Sequence, residues 1–163
     1  MNPYLFIRST MEQLIIEHVD AGNIREFISL IEKLAEYERL TPPDDRAKER
    51  LVQHGLSESP HYEAYIGRIE GIAVAYVTIF FTYSTFNARP TLFLEDIFVL
   101  EEYRNRGIGR AMFDLCRRRA QERGCGRMEW MVLTWNEHAI RFYEKCGAER
   151  LDWFVYRLED PTF

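Results

Sequence analysis

The feature that most constrains this chain is a change of rhythm near its middle. Thr91 to Leu100 is rich in β-branched and aromatic residues and reads as a strand; beyond it Ile108, Ala111, Met112, Leu115, Cys116 and Ala120 recur at helical spacing, up to Gly124. Between the two stands "YRNRGIGRA", Tyr103 to Ala111. A strand that leads straight into an amphipathic helix, with a further strand after it, calls for a crossover connection and a sheet with a helix laid on it.

The connection is richer than a turn needs, with two glycines and three arginines around the helix start. It is not a dinucleotide fingerprint, because no third glycine follows Gly109 at the required spacing, and it lacks the Gly-Lys-Ser/Thr of a P-loop. What remains is a short nest. Backbone N–H groups from Asn105 to Arg110 can converge at a helix N-terminus, where unpaired donors and the positive end of the dipole favour a phosphate. Gly107 and Gly109 allow close backbone approach, and Arg104, Arg106 or Arg110 would add charge. A glycine-rich turn with solvated arginines fits the motif alone equally well.

Upstream, Leu14 to Val19 reads as a strand. Ile24, Phe27, Ile28, Ile31, Leu34 and Ala35 then keep helical spacing behind a candidate capping box of Asn23 and Glu26, and Pro42 and Pro43 end that helix near Leu40. A short polar helix is expected over Asp45 to Gln53. The alternation Tyr62, Ala64, Ile66 and the run Ile72 to Tyr83 predict two antiparallel strands hinged at Glu70-Gly71. After the crossover helix come a strand from Met128 to Thr134, a helix from about Glu137 to Cys146 with Asn136 as N-cap and Gly147 as its left-handed end, and a last strand from Trp153 to Leu158. The order β-α-α-β-β-β-α-β-α-β implies an α/β (α+β) fold, a mixed and mostly antiparallel twisted sheet flanked by helices.

With 163 residues, 47% of them hydrophobic, the chain suffices for one core and not two, so residues 11–163 are expected as one domain behind a disordered extension over 1–10. A formal net charge of -5 argues against a broad basic face, so no nucleic-acid partner is expected. No apolar run approaches a membrane span and Met1 to Thr10 has no signal-peptide pattern. Cys116, Cys125 and Cys146 are odd in number and form no CxxC pair, while His18, His54, His61 and His138 lack metal spacing; no metal is expected, and a reducing cytoplasm fits. Arg117, Arg118 and Arg119 read as a solvated helix face, and Trp130 and Trp135 as core or pocket wall.

The segments "LFLEDIFVLEEYRNRGIGRAMFDLCRRRA" and "VLTWNEHAIRFYEKCGAERL" resemble the acetyl-CoA-binding core of the GNAT superfamily of N-acetyltransferases, and "LIEKLAEYERL" and "FFTYSTF" extend the likeness to its diamine (spermidine/spermine) and thialysine acetyltransferase branch. The resemblance implies a GNAT fold and an enzyme using acetyl-CoA (coenzyme A) to acetylate a small cationic amine by direct attack in a ternary complex. It assigns Arg104, Asn105, Arg106, Gly107, Ile108, Gly109 and Arg110 to the pyrophosphate. The backbone of Ile97, Phe98 and Val99 would pair with the pantetheine arm like an added strand, and a bulge would splay that strand from its neighbour and free an oxyanion donor.

The same resemblance makes Tyr143 the general acid for the departing thiolate and Asn136 a cofactor contact. The two share a helix face two turns apart, roughly 10.5 Å along the axis. Glu95 becomes the base, needed because an alkyl ammonium with a pKa of about 10.4 cannot attack a thioester. Alternation puts Asp96 on the opposite strand face from Glu95 unless a bulge re-aims them. Tyr37, Glu38, Asp96, Ser84 and Phe86 fall where the branch lines its amine pocket. Ser84-Thr85-Phe86 departs from the Asp-Pro-Trp of the polyamine enzymes and is nearer the Ser-Thr-Trp of the thialysine enzymes, which weakens a polyamine preference. A homodimer is implied by the branch. Protein lysine or N-terminal acetylation, and a non-catalytic acyl-CoA-binding domain, are the competing readings; Glu95 and Tyr143 together weigh against the last.

Overall fold

The computed structural model describes residues 13–159, and backbone contacts group them into two compact units, one ending at Trp130 and one beginning at Met131. The expected extension over residues 1–10 lies outside the described residues.

The first unit holds one sheet of five strands in the order β1-β2-β3-β4-β5: β1 Ile15–His18, β2 Glu63–Ile69, β3 Ile72–Ser84, β4 Arg89–Val99 and β5 Arg127–Trp130. Neighbours from β1 to β4 are antiparallel, and β5 runs parallel to β4. The parallel pair is joined by a helix, numbered α3 after α1 (Ile24–Glu38) and α2 (Asp45–Gly55), which spans Ile108–Glu122. This is the crossover that the central change of rhythm requires. The β2–β3 hairpin turns on Glu70 and Gly71, both left-handed at φ 50° and 82°, with Ile69 opposite Ile72. That geometry matches a two-residue turn of the kind that follows strand twist.

β3 is apolar on both sides because both are covered. Tyr76 packs edge-on to Phe27 of α1, with ring centroids 5.4 Å apart, in a cluster with Val19, Leu30, Ile66 and Phe98. Ala75, Val77 and Ile79 point the other way and are equally buried. Gly67, opposite Ala75, lies under Met112 of α3, where an added Cβ would come within 3.2 Å of the sulfur.

Asn23 does not form the expected capping box. Its side chain accepts the Asp20 amide (2.8 Å) and donates to the His18 carbonyl (3.1 Å), while Glu26 is drawn into an ion pair with Arg68 at 2.5 Å. Local polar groups of the β1–α1 turn outcompete the helix amides for the Asn23 carboxamide. α1 ends at Glu38 with Arg39 left-handed at φ 58°. α2 is capped by Asp44, which accepts the Ala47 amide at 2.7 Å, and runs past Gln53 to Gly55.

Two strand expectations need correction. β5 ends at Trp130 instead of Thr134, because its ladder with β4 stops at Leu94. In the second unit, α4 (Glu137–Lys145) forms as expected, with Asn136 Oδ1 accepting the Ala139 amide at 3.1 Å and Gly147 left-handed at φ 83°. Residues 153–158, however, form no strand; Trp153 and Tyr156 are 75% and 91% exposed. β-branched and aromatic content describes a surface that fits a sheet, and without a ladder partner it does not hold a strand.

Candidate active site

The site is built on an irregularity in β4. The β3–β4 ladder pairs Ile79 with Leu94 and Thr78 with Asp96, so Glu95 is the extra residue of a bulge. The bulge cancels the alternation that would send Glu95 and Asp96 to opposite faces, and both line one cavity of about 520 Å³. Phe27 and Ile31 of α1, Leu51 of α2 and Phe80 of β3 supply apolar wall, with His61, Tyr62 and Thr78 beside them.

Burial, the Glu95 charge beside it and, more weakly, Glu38 push the Asp96 carboxyl up to about 6, against the pull of the nearby Tyr76 hydroxyl. Burial also raises Glu38. The hydroxyl oxygens of Tyr76 and Thr78 are buried with no partner in good hydrogen-bond geometry among the described residues. Such groups are costly in a sealed core and are what a site keeps for a polar ligand or water.

The same bulge opens the far side of β4. β5 pairs only with Thr91–Leu94, and among the described residues no strand pairs with Ile97, Phe98 and Val99 on that side. The open edge leads through a single 3-10 turn, Glu101–Tyr103, into the nest. Asn105 (φ 61°) and Gly107 (φ 79°) are both left-handed, which an L side chain tolerates poorly at the second position. The first amide bonded inside α3 is that of Ala111, to the Gly107 carbonyl at 3.0 Å, so the amides of Ile108 and Gly109 precede the ladder. No acidic residue occupies the first turn to neutralise the dipole.

The arginines of this loop behave differently from the expectation that they supply charge to an anion. Arg104 donates through Nε to the Val99 carbonyl (2.9 Å) and lies 4.5 Å over the Tyr37 ring. Arg106 donates to the Glu102 carbonyl (3.1 Å), and Arg110 is paired with Asp114 at 3.0 Å. These contacts brace the loop.

Of the other expected site residues, Tyr37 is the shelf under Arg104 and Glu38 follows it; neither lines the cavity. Ser84 accepts the Asn87 amide (3.3 Å) in the β3–β4 turn and Phe86 is 100% exposed there. Ser84 is paired with Arg89, whereas the carboxylate pair lies six residues back along β3 at Thr78, about 20 Å away. The structure does not bring Ser84 and Phe86 to the cavity. Asn136 and Tyr143 belong to the second unit, on α4, where Asn136 acts as N-cap. Thr78, Tyr76, Leu51 and His61 were not foreseen. Thr78 alone carried a signal, as a polar residue inside the apolar run "AVAYVTIFF". The Cys116 thiol is buried and pushed up to about 12, which leaves it inert.

The sequence profile of the Acetyltransferase (GNAT) family matches residues 26–148. The chain is 32% identical over 161 residues to thialysine N-epsilon-acetyltransferase of Bos taurus, covering 91% of this chain and 94% of that protein. It is 36% identical over 104 residues to L-ornithine N5-acetyltransferase NATA1 of Arabidopsis thaliana, covering 62% of this chain and 46% of that one. The fold matches that of the aminoglycoside N-acetyltransferase AAC(6')-Iy, solved in complex with CoA, with a TM-score of 0.73 at 20% identity over 90% of this chain and 95% of the other.

Proposed function

Since the chain belongs to the acetyltransferase (GNAT) family and is an acetyl-CoA-dependent N-acetyltransferase, we propose that it acetylates the primary amine of a small cationic acceptor by direct attack in a ternary complex. The observation that carries this reading is the Glu95 bulge. One extra residue sets two carboxylates in a cavity and, at the same point, ends the β4–β5 ladder and exposes a strand edge.

Acetyl-CoA supplies the acetyl group as an activated thioester. The edge amide and carbonyl of Ile97 and the amide of Val99 suit an extended amide-bearing arm laid alongside as an added strand, with Phe98 between them turning its own backbone groups to β3. The backbone from Asn105 to Arg110 suits its pyrophosphate, with Arg104 and Arg106 holding the loop in shape. Asp96 holds the acceptor's ammonium by a charge-assisted hydrogen bond. Glu95 takes one proton from it, directly or through water, which frees the nitrogen lone pair. The nitrogen then forms a bond to the acetyl carbon as the carbon–sulfur bond breaks; Tyr143 gives a proton to the departing thiolate and is restored by the second proton that the nitrogen sheds on becoming an amide, Glu95 releases its proton to solvent, and Asn136 is a cofactor contact. No cysteine is needed, and no covalent acetyl-enzyme forms.

The relatives named for thialysine and L-ornithine support an amine-bearing acceptor of modest size. No helix among the described residues is long and apolar enough to cross a membrane. The proposal extends to a homodimer in the cytoplasm, the arrangement that the branch resemblance and the unbridged Cys116 and Cys125 favour.

Initial rates of coenzyme A release, measured while acetyl-CoA and a primary amine are varied together, test the ternary complex. Intersecting double-reciprocal lines are expected. Parallel lines, the mark of an acetylated enzyme, would overturn direct attack.

A further inference from the structure

β3 is more polar beneath the carboxylate pair than a core strand needs to be. Tyr76 and Thr78 are alternate residues of β3, so their side chains share the face that α1 covers, and Tyr76 packs there against Phe27 and Phe98 with ring centroids 5.4 and 6.2 Å away. Thr78 is the ladder partner of Asp96, and Tyr76 is the next residue of β3 on the same face. Partners directly opposite bring their Cβ atoms to about 5 Å, and a diagonal neighbour at about 7 to 8 Å is still within reach of a long aromatic side chain. Both hydroxyls therefore stand around one carboxylate. Tyr76 is 0% and Thr78 8% exposed, and neither hydroxyl oxygen has a partner in good hydrogen-bond geometry among the described residues. Phenylalanine and valine would fill the same space without the cost of a buried, unpaired hydroxyl. The Tyr76 hydroxyl bears on Asp96 all the same: it pulls the carboxyl down against burial, and its own titration is raised well above the usual 10, so it stays a proton donor across neutral pH.

An ionised carboxylate offers about four acceptor sites, and an ammonium occupies only part of them. Away from bulk water the remaining sites need donors of their own. We propose that Tyr76 is a positioning residue for amine binding: its hydroxyl donates to the Asp96 carboxylate on the side away from the ammonium, with Thr78 Oγ1 as a second donor, and so fixes the aim of the oxygen that receives the acceptor. The proposal rests on the amine acetyltransferase reading above and deepens it, because it separates the two carboxylates by setting. Glu95 is exposed and can exchange protons with solvent, whereas Asp96 is anchored from below.

A double-mutant cycle in Tyr76→Phe and Asp96→Asn tests this, read as kcat and KM for thialysine and for 1,4-diaminobutane at saturating acetyl-CoA. Phenylalanine keeps the ring against Phe27 and Phe98, so the variant folds as the parent does. Tyr76→Phe is expected to raise KM for the amine about fivefold, the effect of one hydrogen bond, while kcat and KM for acetyl-CoA stay within about twofold. In the Asp96→Asn background the same change should add less than about twofold. In the parent background it should also move the acid limb of kcat/KM to higher pH, because the donor that held the carboxyl down is gone. The other groups whose charges reach Asp96, Glu95 on β4 and Glu38 at the end of α1, are left in place, as are His61 and Tyr62 in the same cavity. A tyrosine that only fills the core would move neither the limb nor the coupling. An unchanged KM in Tyr76→Phe, or two substitutions whose effects multiply as independent ones do, would overturn the proposal and leave the acetyltransferase reading standing. An amine KM unmoved by Asp96→Asn, or no turnover of either amine by the parent with coenzyme A binding intact by calorimetry, would overturn the amine site and the proposal together.

Discussion

Replacing Glu95 by glutamine is expected to lower kcat/KM for amine acetylation by roughly 10²- to 10⁴-fold, the usual contribution of a positioned general base, while leaving affinity for coenzyme A within about twofold. Glu95 is the inserted residue of the β4 bulge and is solvent-accessible, so its side chain adds little to the packed core and the variant should fold as the parent does. The pH profile carries the mechanistic information. Without an internal acceptor for the ammonium proton, the variant depends on amine already deprotonated in solution. Its relative activity should therefore climb steadily as pH approaches the amine pKa of about 10.4, narrowing the gap to the parent. Steady-state coenzyme A release and calorimetry check the two halves. Full activity in the variant would move the base elsewhere, with Asp96 the first candidate.

Asp96→Asn should change activity and stability in opposite directions. The Asp96 carboxyl is held at about 6 in the folded protein against a usual value of 3.8, chiefly by burial and by the Glu95 charge. The folded-state value is raised, so the neutral form is the one the fold favours. The penalty is absent below 3.8, grows as pH rises through about 6, and is complete above it. A difference of this size corresponds to about 3 kcal/mol at neutral pH. Asparagine has nothing to ionise, so the variant is expected to unfold at higher denaturant concentration than the parent at pH 8 and at a similar one near pH 4. Its KM for the amine should rise by about tenfold or more, because the ammonium loses its partner. In the parent, kcat/KM should fall as pH drops below about 6, and in the variant, where only the base Glu95 remains to be protonated, the fall should no longer follow the Asp96 titration. Equal stability of the two proteins at pH 8 would contradict the strained carboxylate. Such a trade, stability given up where function needs an uncomfortable group, is common at active sites.

The main elements were legible because their signals are local. Period-3.6 spacing gave α1 and α3, and Glu70-Gly71 between alternating runs gave the β2–β3 hairpin. What the sequence hid depends on partners. Whether Glu95 and Asp96 face together or apart turns on one inserted residue in a ladder with β3, and no local pattern announces it. The same insertion shortens β5, which the run Met128 to Thr134 made look longer. Asn23 and Glu26 have capping-box spacing, yet His18, Asp20 and Arg68 claim their side chains. The loop arginines look like phosphate ligands in sequence, and the contacts they make within the loop, to Val99, Glu102 and Asp114, had no local signal. Trp153 to Leu158 had the composition of a strand without a neighbour to pair with.

In the proposed function, the β4 edge past the bulge and the nest ahead of α3 together receive acetyl-CoA. Amide hydrogen exchange with and without saturating coenzyme A measures this at the residues concerned. Slowed exchange at Ile97 and Val99 and at Asn105 to Gly109 is the predicted result, since both segments offer amides that pair only when the ligand is bound, while the Phe98 amide, turned to β3, should change little. Tight binding of coenzyme A with exchange unchanged in both segments would contradict the account.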